Sequence, residues 1–387
     1  MAVLRLLTVG SMYPPHHQGG YEVVWRAFVR AARAAGHEVV VLASDHREPA
    51  AAGLPDDPGV HRDLPWWWRD HAFPRRSLPA RLAIERRAAR VFDAAVREHR
   101  PELVMWWAMG GMPLGLVARG ARAGLPAVGV VHDAWPAYGP QVDQRVLSRP
   151  LDPGAVEAWS VNSAWLRDAL VALPGWGAVA GRIRVDHPGI DPGRFAPVAA
   201  PAWRWRLLCV GRVEPRKGLA HAIDALAELP PEATLDIVGG GDEAHAAQLR
   251  AQADRLGLGE RVYLRGPVAD VPGAYAEADA VLFPVTWDEP FGLVPLEAMA
   301  VGRPVVGSAT GGAREVLRDG DNALVVAPGD AAGLAQGVRR LAADEALRER
   351  LREGGAGTAA TFTEQRFTAA LLELVSAAGA RRPRAGR

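Results

Sequence analysis

The chain has 387 residues, 49% of them hydrophobic, with 42 glycines and 31 prolines, which describes a packed globular protein of about two domains and excludes a disordered one. A formal net charge of +1 excludes a surface built for nucleic acid, and the lone cysteine, Cys209 in the apolar run WRLLCVG, excludes an internal disulfide and reads as core. No apolar run is long enough to span a bilayer and the first ten residues read as a strand with no secretory cleavage site, so a cytoplasmic protein is expected.

Residues 3–10, VLRLLTVG, form a continuous apolar run ending in glycine, the pattern of a buried parallel strand. A loop with Pro14, Pro15 and the pair Gly19-Gly20 leads into a helix from about Tyr21 to Ala35, with Val24, Ala27, Phe28 and Ala31 on one face. HEVVVLASD is the next strand. This unit is Rossmann-like but lacks the G-x-G-x-x-G dinucleotide pattern, and Gly19-Gly20 reads equally as an ordinary turn or as a close approach of backbone to a ligand.

The pattern breaks over residues 47–77, a run rich in Pro and Asp that holds Trp66, Trp67 and Trp68 flanked by Arg62, Arg69, Arg75 and Arg76. Three roles fit it: a loop packed over the domain, a lid that binds an acceptor, or a patch that touches membrane headgroups. Residues 78–100 are helical, PELVMWWAMG is a strand and GMPLGLVARGARAG a helix. LPAVGVVHDAWP is a strand that runs into a loop at His132. Ligands of open α/β sheets bind beyond the carboxyl ends of the strands, which makes His132 a candidate site residue. AVEAWSVNSAWLRDAL adds a strand, with Asn162 or Ser163 capping the helix after it.

A turn at Pro188-Gly189 and the linker FAPVAAPAWRWR separate this domain, residues 1–195, from a second Rossmann-like domain, residues 196–362. Its strands are LLCVG, TLDIVGGGD, RVYLRGPV, AVLFP, PVVGS and ALVVAP, alternating with helical patterns. Residues 363–380 read as a helix that packs back on the first domain, and the tail RRPRAGR, 381–387, as disordered.

The chemistry concentrates in two loops of the second domain. The first is GRVEPRKG, residues 211–218, between a strand and a helix, where Arg212 and Lys217 can converge on one anion. Lysine and arginine together number 45, yet Lys217 is the single lysine, and a lysine that survives such a bias is a candidate for a role arginine cannot fill. The second is residues 286–312, TWDEPFGLVPLEAMAVGRPVVGSATGG. Glu289 precedes the turn Pro290-Phe291-Gly292, and Glu297 lies on the second turn of the helix after it. The free N–H groups at Gly292 and Leu293 suit a phosphate, and a carboxylate one turn further along suits the vicinal hydroxyls of a ribose. Asp319-Gly320-Asp321 has the D-x-D spacing of metal-dependent sugar transferases but reads as turn chemistry, so no metal site is expected.

GR-x4-KG, the glutamate pair with seven residues between, and GRPVVGSATGG closely resemble the retaining glycosyltransferases of family 4, glycosyl transferases group 1. The resemblance covers nearly the whole chain and is most specific in the second domain. It implies an α/β GT-B fold, two Rossmann-like domains facing each other across an interdomain cleft. It implies that Arg212 and Lys217 bind the donor diphosphate, that Gly292 and Leu293 supply backbone donors beside Phe291, and that Glu297 binds ribose. Glu289 then contacts the transferred sugar, His132 lies near the reaction centre, the Gly19-Gly20 loop closes over the phosphates and the segment from Gly266 to Val268 holds the base. The chain departs from the family at Asp321-Asn322-Ala323, where a glycine is usual, and at Pro188-Gly189, where Asn-Gly is common.

The expected co-substrates are a nucleotide-diphosphate sugar, UDP- or GDP-linked, and a hydroxyl acceptor, with no metal or other cofactor and with peripheral contact at the inner membrane face as an option. The lysine-poor composition is compatible with an actinobacterial genome. Two other activities suit the same architecture: a nucleotide-sugar 2-epimerase, which needs no acceptor, and a non-catalytic nucleotide-sugar-binding subunit, which would be expected to have lost the glutamate or Arg/Lys pair.

Overall fold

The computed structural model describes residues 3–17, 19–47, 56–69, 72–199 and 202–380. The tail expected to be disordered, and parts of the 47–77 run, lie outside them. The chain divides into two compact units, Met1–His187 with Phe367–Arg387, and Pro188–Arg366.

The first unit opens with β1 (Arg5–Val9), α1 (Gly20–Ala34), β2 (Glu38–Ser44) and β3 (Val60–Leu64). It continues with α2 (Leu78–His99), β4 (Leu103–Trp106), α3 (Gly115–Arg122), β5 (Ala127–Val131) and α4 (Trp135–Val142). β6 (Ala158–Val161), α5 (Ala164–Val171) and β7 (Ile183–Val185) complete it before the chain leaves. The seven strands form one parallel sheet in the order β3-β2-β1-β4-β5-β6-β7. The central strands are buried on both faces, which is why LVMW and AVGVV carry no polar alternation. Ser163 caps α5, its hydroxyl accepting from the Leu166 N–H at 3.0 Å, while Asn162 donates to the His132 carbonyl at 3.0 Å.

Three elements escaped the sequence pattern: β3, α4 and the three-residue β7. β3, VHRDL, is an edge strand that buries only Leu64, so it lacks the apolar run of its neighbours. α4, WPAYGPQV, carries two prolines, one in the first turn where no hydrogen bond is lost, and buried Trp135 anchors it.

The tryptophan run packs over the domain. Trp66 Nε1 donates to the Gly110 carbonyl at 2.9 Å, Trp67 N–H donates to the Gly111 carbonyl at 3.0 Å, and Trp66 stacks on Trp68 at 4.7 Å. Trp66 and Trp67 are buried, so for these two rings the first of the three expected roles, a loop packed over the domain, is the one the fold shows.

The second unit runs β8 (Arg206–Val210), α6 (Leu219–Ala227), β9 (Thr234–Val238), α7 (Glu243–Arg255), β10 (Val262–Gly266), α8 (Val271–Glu277) and β11 (Ala280–Phe283). It closes with α9 (Leu293–Val301), β12 (Val305–Ser308), β13 (Leu324–Val326), α10 (Ala331–Ala343) and α11 (Glu345–Thr361). Its parallel sheet has the order β10-β9-β8-β11-β12-β13. In such a sheet the strand order reverses between the first strand and its non-sequential neighbour, here β8 and β11, and the loops after those two strands flank the crevice. Cys209 on β8 is buried as expected, and burial pushes its thiol up to about 12. Buried Arg303, just after α9, donates to the carbonyls of Tyr275, Ala276, Val198, Ala199 and Gly302, so the arginine of the GRP motif ties α8 to the linker.

α12 (Glu364–Ala380) comes last, and from Phe367 onward it belongs to the first unit. Among the described residues no helix is long and apolar enough to cross a membrane, and no group of three or more His, Cys, Asp or Glu side chains gathers to hold a metal ion. Asp319 and Asp321 serve a turn: Asp319 accepts from the Val325 N–H at 2.9 Å, and Asp321 pairs with Arg318 at 2.7 Å. In the segment where the family usually has a glycine, Asn322 is wholly buried and donates to the Val316 carbonyl at 2.8 Å.

Candidate active site

The loops after β8 and β11 meet at the switch point of the second sheet. Residues 211–218 leave β8 through Gly211 and form a short 3-10 turn at Pro215–Lys217. Gly218 then starts α6 with φ +68°, a left-handed conformation that glycine adopts without strain. A Cβ there would stand 1.9 Å from the Pro284 carbonyl oxygen, so only glycine lets the lysine turn lie against the end of β11. The Thr286 N–H donates to the Arg216 carbonyl at 3.1 Å and closes the two loops together.

Lys217 Nζ donates to Glu289 Oε2 at 2.7 Å, with the side chains 20% and 13% exposed. The same oxygen accepts from the Trp287 indole at 3.1 Å. Arg216 lies over the Trp287 ring at 4.0 Å, a cation–π contact. Glu214 accepts from Arg216 at 2.6 Å and pairs with Arg212 at 3.3 Å. A small hollow is lined by Gly211, Arg212, Lys217, Pro284 and Val285, so both cations singled out in the sequence face it. Each is already paired with a carboxylate, Arg212 with Glu214 and Lys217 with Glu289, which the sequence did not disclose.

α9 begins at Gly292, which has φ +100°, and no side chain caps it. Its first N–H groups have no partner within the helix, and Pro295 in that turn has none to lose. Phe291 is buried and meets Phe362 at 5.6 Å, so its ring fixes the turn from the core. Gly311, with φ +54°, packs against the Glu289 backbone where a Cβ would lie 2.5 Å from the carbonyl oxygen, and the Gly312 N–H donates to that carbonyl at 2.7 Å. The glycines of GSATGG therefore hold Glu289 in place.

Glu297 is half-buried on α9. Burial raises its pKa above the ordinary carboxylate range, and the Tyr275 hydroxyl, donating to Oε2 at 2.7 Å, opposes that rise. Its Oε1 makes no hydrogen bond to protein among the described residues. Val268 is half-buried against the same core, beyond the end of β10, where the Gly266 carbonyl accepts from the Gly239 N–H at 2.9 Å.

In the first unit, His132 stands just after β5 at the carboxyl edge and is 9% exposed. Tyr21 stacks on it at 4.7 Å and Phe367 meets it edge-on at 5.4 Å. Burial lowers its pKa to about 3, so the imidazole is neutral near pH 7, and its Nε2 is buried without a hydrogen-bond partner among the described residues. Gly19 precedes α1, where its N–H donates to Glu22 Oε2 at 3.1 Å, and Gly20 is the exposed first residue of that helix.

Sequence reasoning missed Glu214, Trp287, Tyr275 and Tyr21. Glu214 stands inside the quoted cationic loop and Trp287 two residues before Glu289, so a search for partners of those charges would find both. Tyr275 and Tyr21 carry no local signal, because they reach Glu297 and His132 only through the fold.

The loops, strand order and helix terminus define two Rossmann-like α/β domains with a switch-point crevice in the second, and comparison with known proteins gives their family. The family model described as Glycosyltransferase Family 4 matches residues 18–194, and that described as Glycosyl transferases group 1 matches residues 195–357. The glycogen synthase of Mycobacterium tuberculosis is 31% identical over 391 aligned positions, covering 90% of this chain and 88% of that protein. The D-inositol 3-phosphate glycosyltransferase of Xylanimonas cellulosilytica is 33% identical over 267 residues, 64% of this chain and 63% of that protein, so the match spans under two thirds of that relative. Among solved structures, HepE from Anabaena in complex with UDP and glucose superposes with a TM-score of 0.75 at 23% identity, covering 96% of this chain and 99% of that one, a likeness of fold. The chain belongs to the glycosyl transferases group 1 family and has the GT-B fold, as the motifs of the second domain predicted.

Proposed function

We propose that this protein is a retaining glycosyltransferase that moves a sugar from a nucleotide-diphosphate donor to a hydroxyl acceptor. The observation that carries the reading is the pairing of Lys217 with Glu289 at the switch point of the second sheet, beside Arg212 and the uncapped start of α9. Breaking the anomeric C–O bond leaves a nucleoside diphosphate. Arg212, Lys217 and the N–H groups at Gly292 and Leu293 are placed on loops that can hold its developing charge. Glu297, with Oε1 free, would accept from the ribose hydroxyls, and Glu289 from hydroxyls of the sugar in transfer. The Phe291 turn sets the start of α9, Val268 and its backbone neighbours would border the base, and Gly19-Gly20 would approach the phosphates.

The sugar becomes oxocarbenium-like as the bond breaks. With Glu289 assigned to sugar hydroxyls, no carboxylate is assigned to attack at the anomeric carbon. The acceptor then enters on the face from which the phosphate leaves, and the leaving phosphate oxygen takes the acceptor proton. His132, neutral near pH 7, would offer a hydrogen bond and would not shuttle protons. The protein supplies its own cations, so turnover is expected to survive a chelator. The Anabaena neighbour's complex with UDP and glucose supports a uridine donor, and GDP remains the alternative.

A panel of UDP-, GDP- and dTDP-sugars scored by thermal shift finds the donor, because a ligand that binds only the folded state raises its melting temperature. With that donor, K217A and E297A should each weaken binding. If both leave donor affinity unchanged, the site is misassigned. Anomer-resolved NMR of the product must show net retention, and incubation without acceptor must leave the nucleotide sugar unepimerised.

A further inference from the structure

The proposed function asks Lys217 and Glu289 for opposite things. The ammonium is to hold the diphosphate and the carboxylate is to hold the sugar, yet the two hold each other at 2.7 Å, largely sheltered from water. The carboxylate is also restrained on a second side. Trp287 donates its indole N–H to the same oxygen at 3.1 Å, the Thr310 hydroxyl donates to the Trp287 carbonyl at 2.6 Å, and the Arg216 guanidinium lies over the ring at 4.0 Å. Glu289 therefore stands fixed beside the lysine.

A diphosphate that enters meets this carboxylate as a second anion on one cation. The balance between the two anions turns on whether a sugar is attached. A sugar-loaded donor brings hydroxyls that donate to Glu289, satisfy its charge and let the ammonium turn to the phosphate. A spent nucleoside diphosphate brings no hydroxyl to that position and carries an additional ionisable phosphate oxygen. Glu289 then competes for Lys217 and repels the product.

We infer that Glu289 is an internal counter-anion that makes the site prefer a sugar-loaded donor over the spent nucleotide. The inference rests on the assignment of the diphosphate to Lys217. It gives Glu289 a part in product release, separate from its contact with the sugar, and it makes Trp287 a positioning residue that keeps the carboxylate beside the lysine.

Calorimetric titration with UDP, GDP and inorganic pyrophosphate, and with UDP-glucose and GDP-mannose, tests it on the wild type, E289Q, W287F and K217A. Glutamine keeps the shape and an acceptor oxygen but removes the charge. E289Q should bind the sugar-free diphosphates at least about fivefold tighter than the wild type and the sugar nucleotides no tighter. W287F, which frees the carboxylate to swing away, should shift the same ratio in the same direction by a smaller factor. Sugar-free diphosphates bound by E289Q no tighter than by the wild type, with K217A having lost them, overturn the counter-anion role while the diphosphate site stands. Equal binding by K217A and the wild type, or no binding of any probe to the wild type, removes the diphosphate assignment itself and the inference with it.

Discussion

Tyr275 reaches across from α8 to donate its hydroxyl to Glu297 Oε2 at 2.7 Å, joining a wholly buried phenol to a half-buried carboxylate. The bond keeps one carboxylate oxygen occupied. It also favours the ionised form, against the burial that raises the carboxyl's pKa. Y275F removes the hydroxyl and little volume. The apparent affinity for the donor should fall about tenfold, close to the loss of a hydrogen bond to a charged group, with kcat little changed. Without the phenol the carboxyl protonates more readily, so the acid limb of donor binding should move to higher pH. A pH series of donor affinity on both proteins checks this, and an unmoved limb would mean that Glu297 does not bind the donor in its ionised form.

His132 allows a second test, through stability. Burial lowers its pKa to about 3 from the ordinary 6.5, so the unfolded chain binds a proton in this interval and the folded chain does not. Stability is therefore lost as pH falls from 6.5 towards 3, at up to about 1.4 kcal/mol per pH unit. H132Q removes the titrating group, and its unfolding free energy should fall less steeply over that range than the wild type's. Denaturant titrations at pH 7, 6 and 5 measure the slope. A full wild-type slope in H132Q would assign the acid sensitivity to another group. In the same reading, no limb of the activity profile between pH 5 and 8 belongs to this imidazole.

Asp143 carries the opposite sign. It ends α4 with its side chain 1% exposed, its Oδ1 accepts from the Trp67 indole at 3.2 Å, and its Oδ2 has no hydrogen-bond partner among the described residues. Burial raises its pKa to about 6 from 3.8, with Arg145, 3.7 Å away, opposing the rise. Between those values the folded state binds the extra proton, so stability falls as pH rises through the interval and stays lowered above it. D143N keeps an oxygen for Trp67 and removes the buried charge. It should be close to neutral at pH 4 and stabilising by about 1–3 kcal/mol at pH 8. Equal effects at the two pH values would show that Asp143 titrates as an ordinary carboxylate.

How far the sequence reveals such features depends on whether they are local. Strands buried on both faces, such as LVMW and AVLF, announce themselves as apolar runs, and alternation with helices implies a parallel sheet. The loops that carry Lys217 and Glu289 are legible for a similar reason, since strand ends in such sheets are where ligands bind. β3 and α4 were not legible, because an edge strand has little apolar surface to bury and prolines conceal a short helix. The pairing of Lys217 with Glu289 joins residues 72 positions apart, and that of Tyr275 with Glu297 spans 22. The sequence marks each charge, but only the packing of the loops names its partner. The tryptophans at 66 and 67 mark the limit of composition: aromatic residues among arginines fit a packed loop, a lid or a headgroup patch alike, and the fold turns these two rings inward.

Gly218 is where backbone conformation and site geometry can be separated by experiment. Its φ is +68°, and a Cβ would meet the Pro284 carbonyl oxygen at 1.9 Å. Gly257, at the end of α7, has φ +70° with nothing within 4 Å of a Cβ. The two positions share the backbone strain that alanine would suffer and differ in the contact. G257A should therefore lose about 1 kcal/mol, the left-handed strain alone. G218A must in addition push the lysine turn away from β11, and should lose about 2–4 kcal/mol. The displaced turn carries the Lys217 ammonium away from the position assigned to the phosphates, so G218A should also lose diphosphate affinity while G257A keeps it. Thermal unfolding and nucleotide titration on the two variants measure both effects. Equal stabilities would show that the turn relaxes without strain, and intact binding by G218A would mean that the position of Lys217 does not set the affinity.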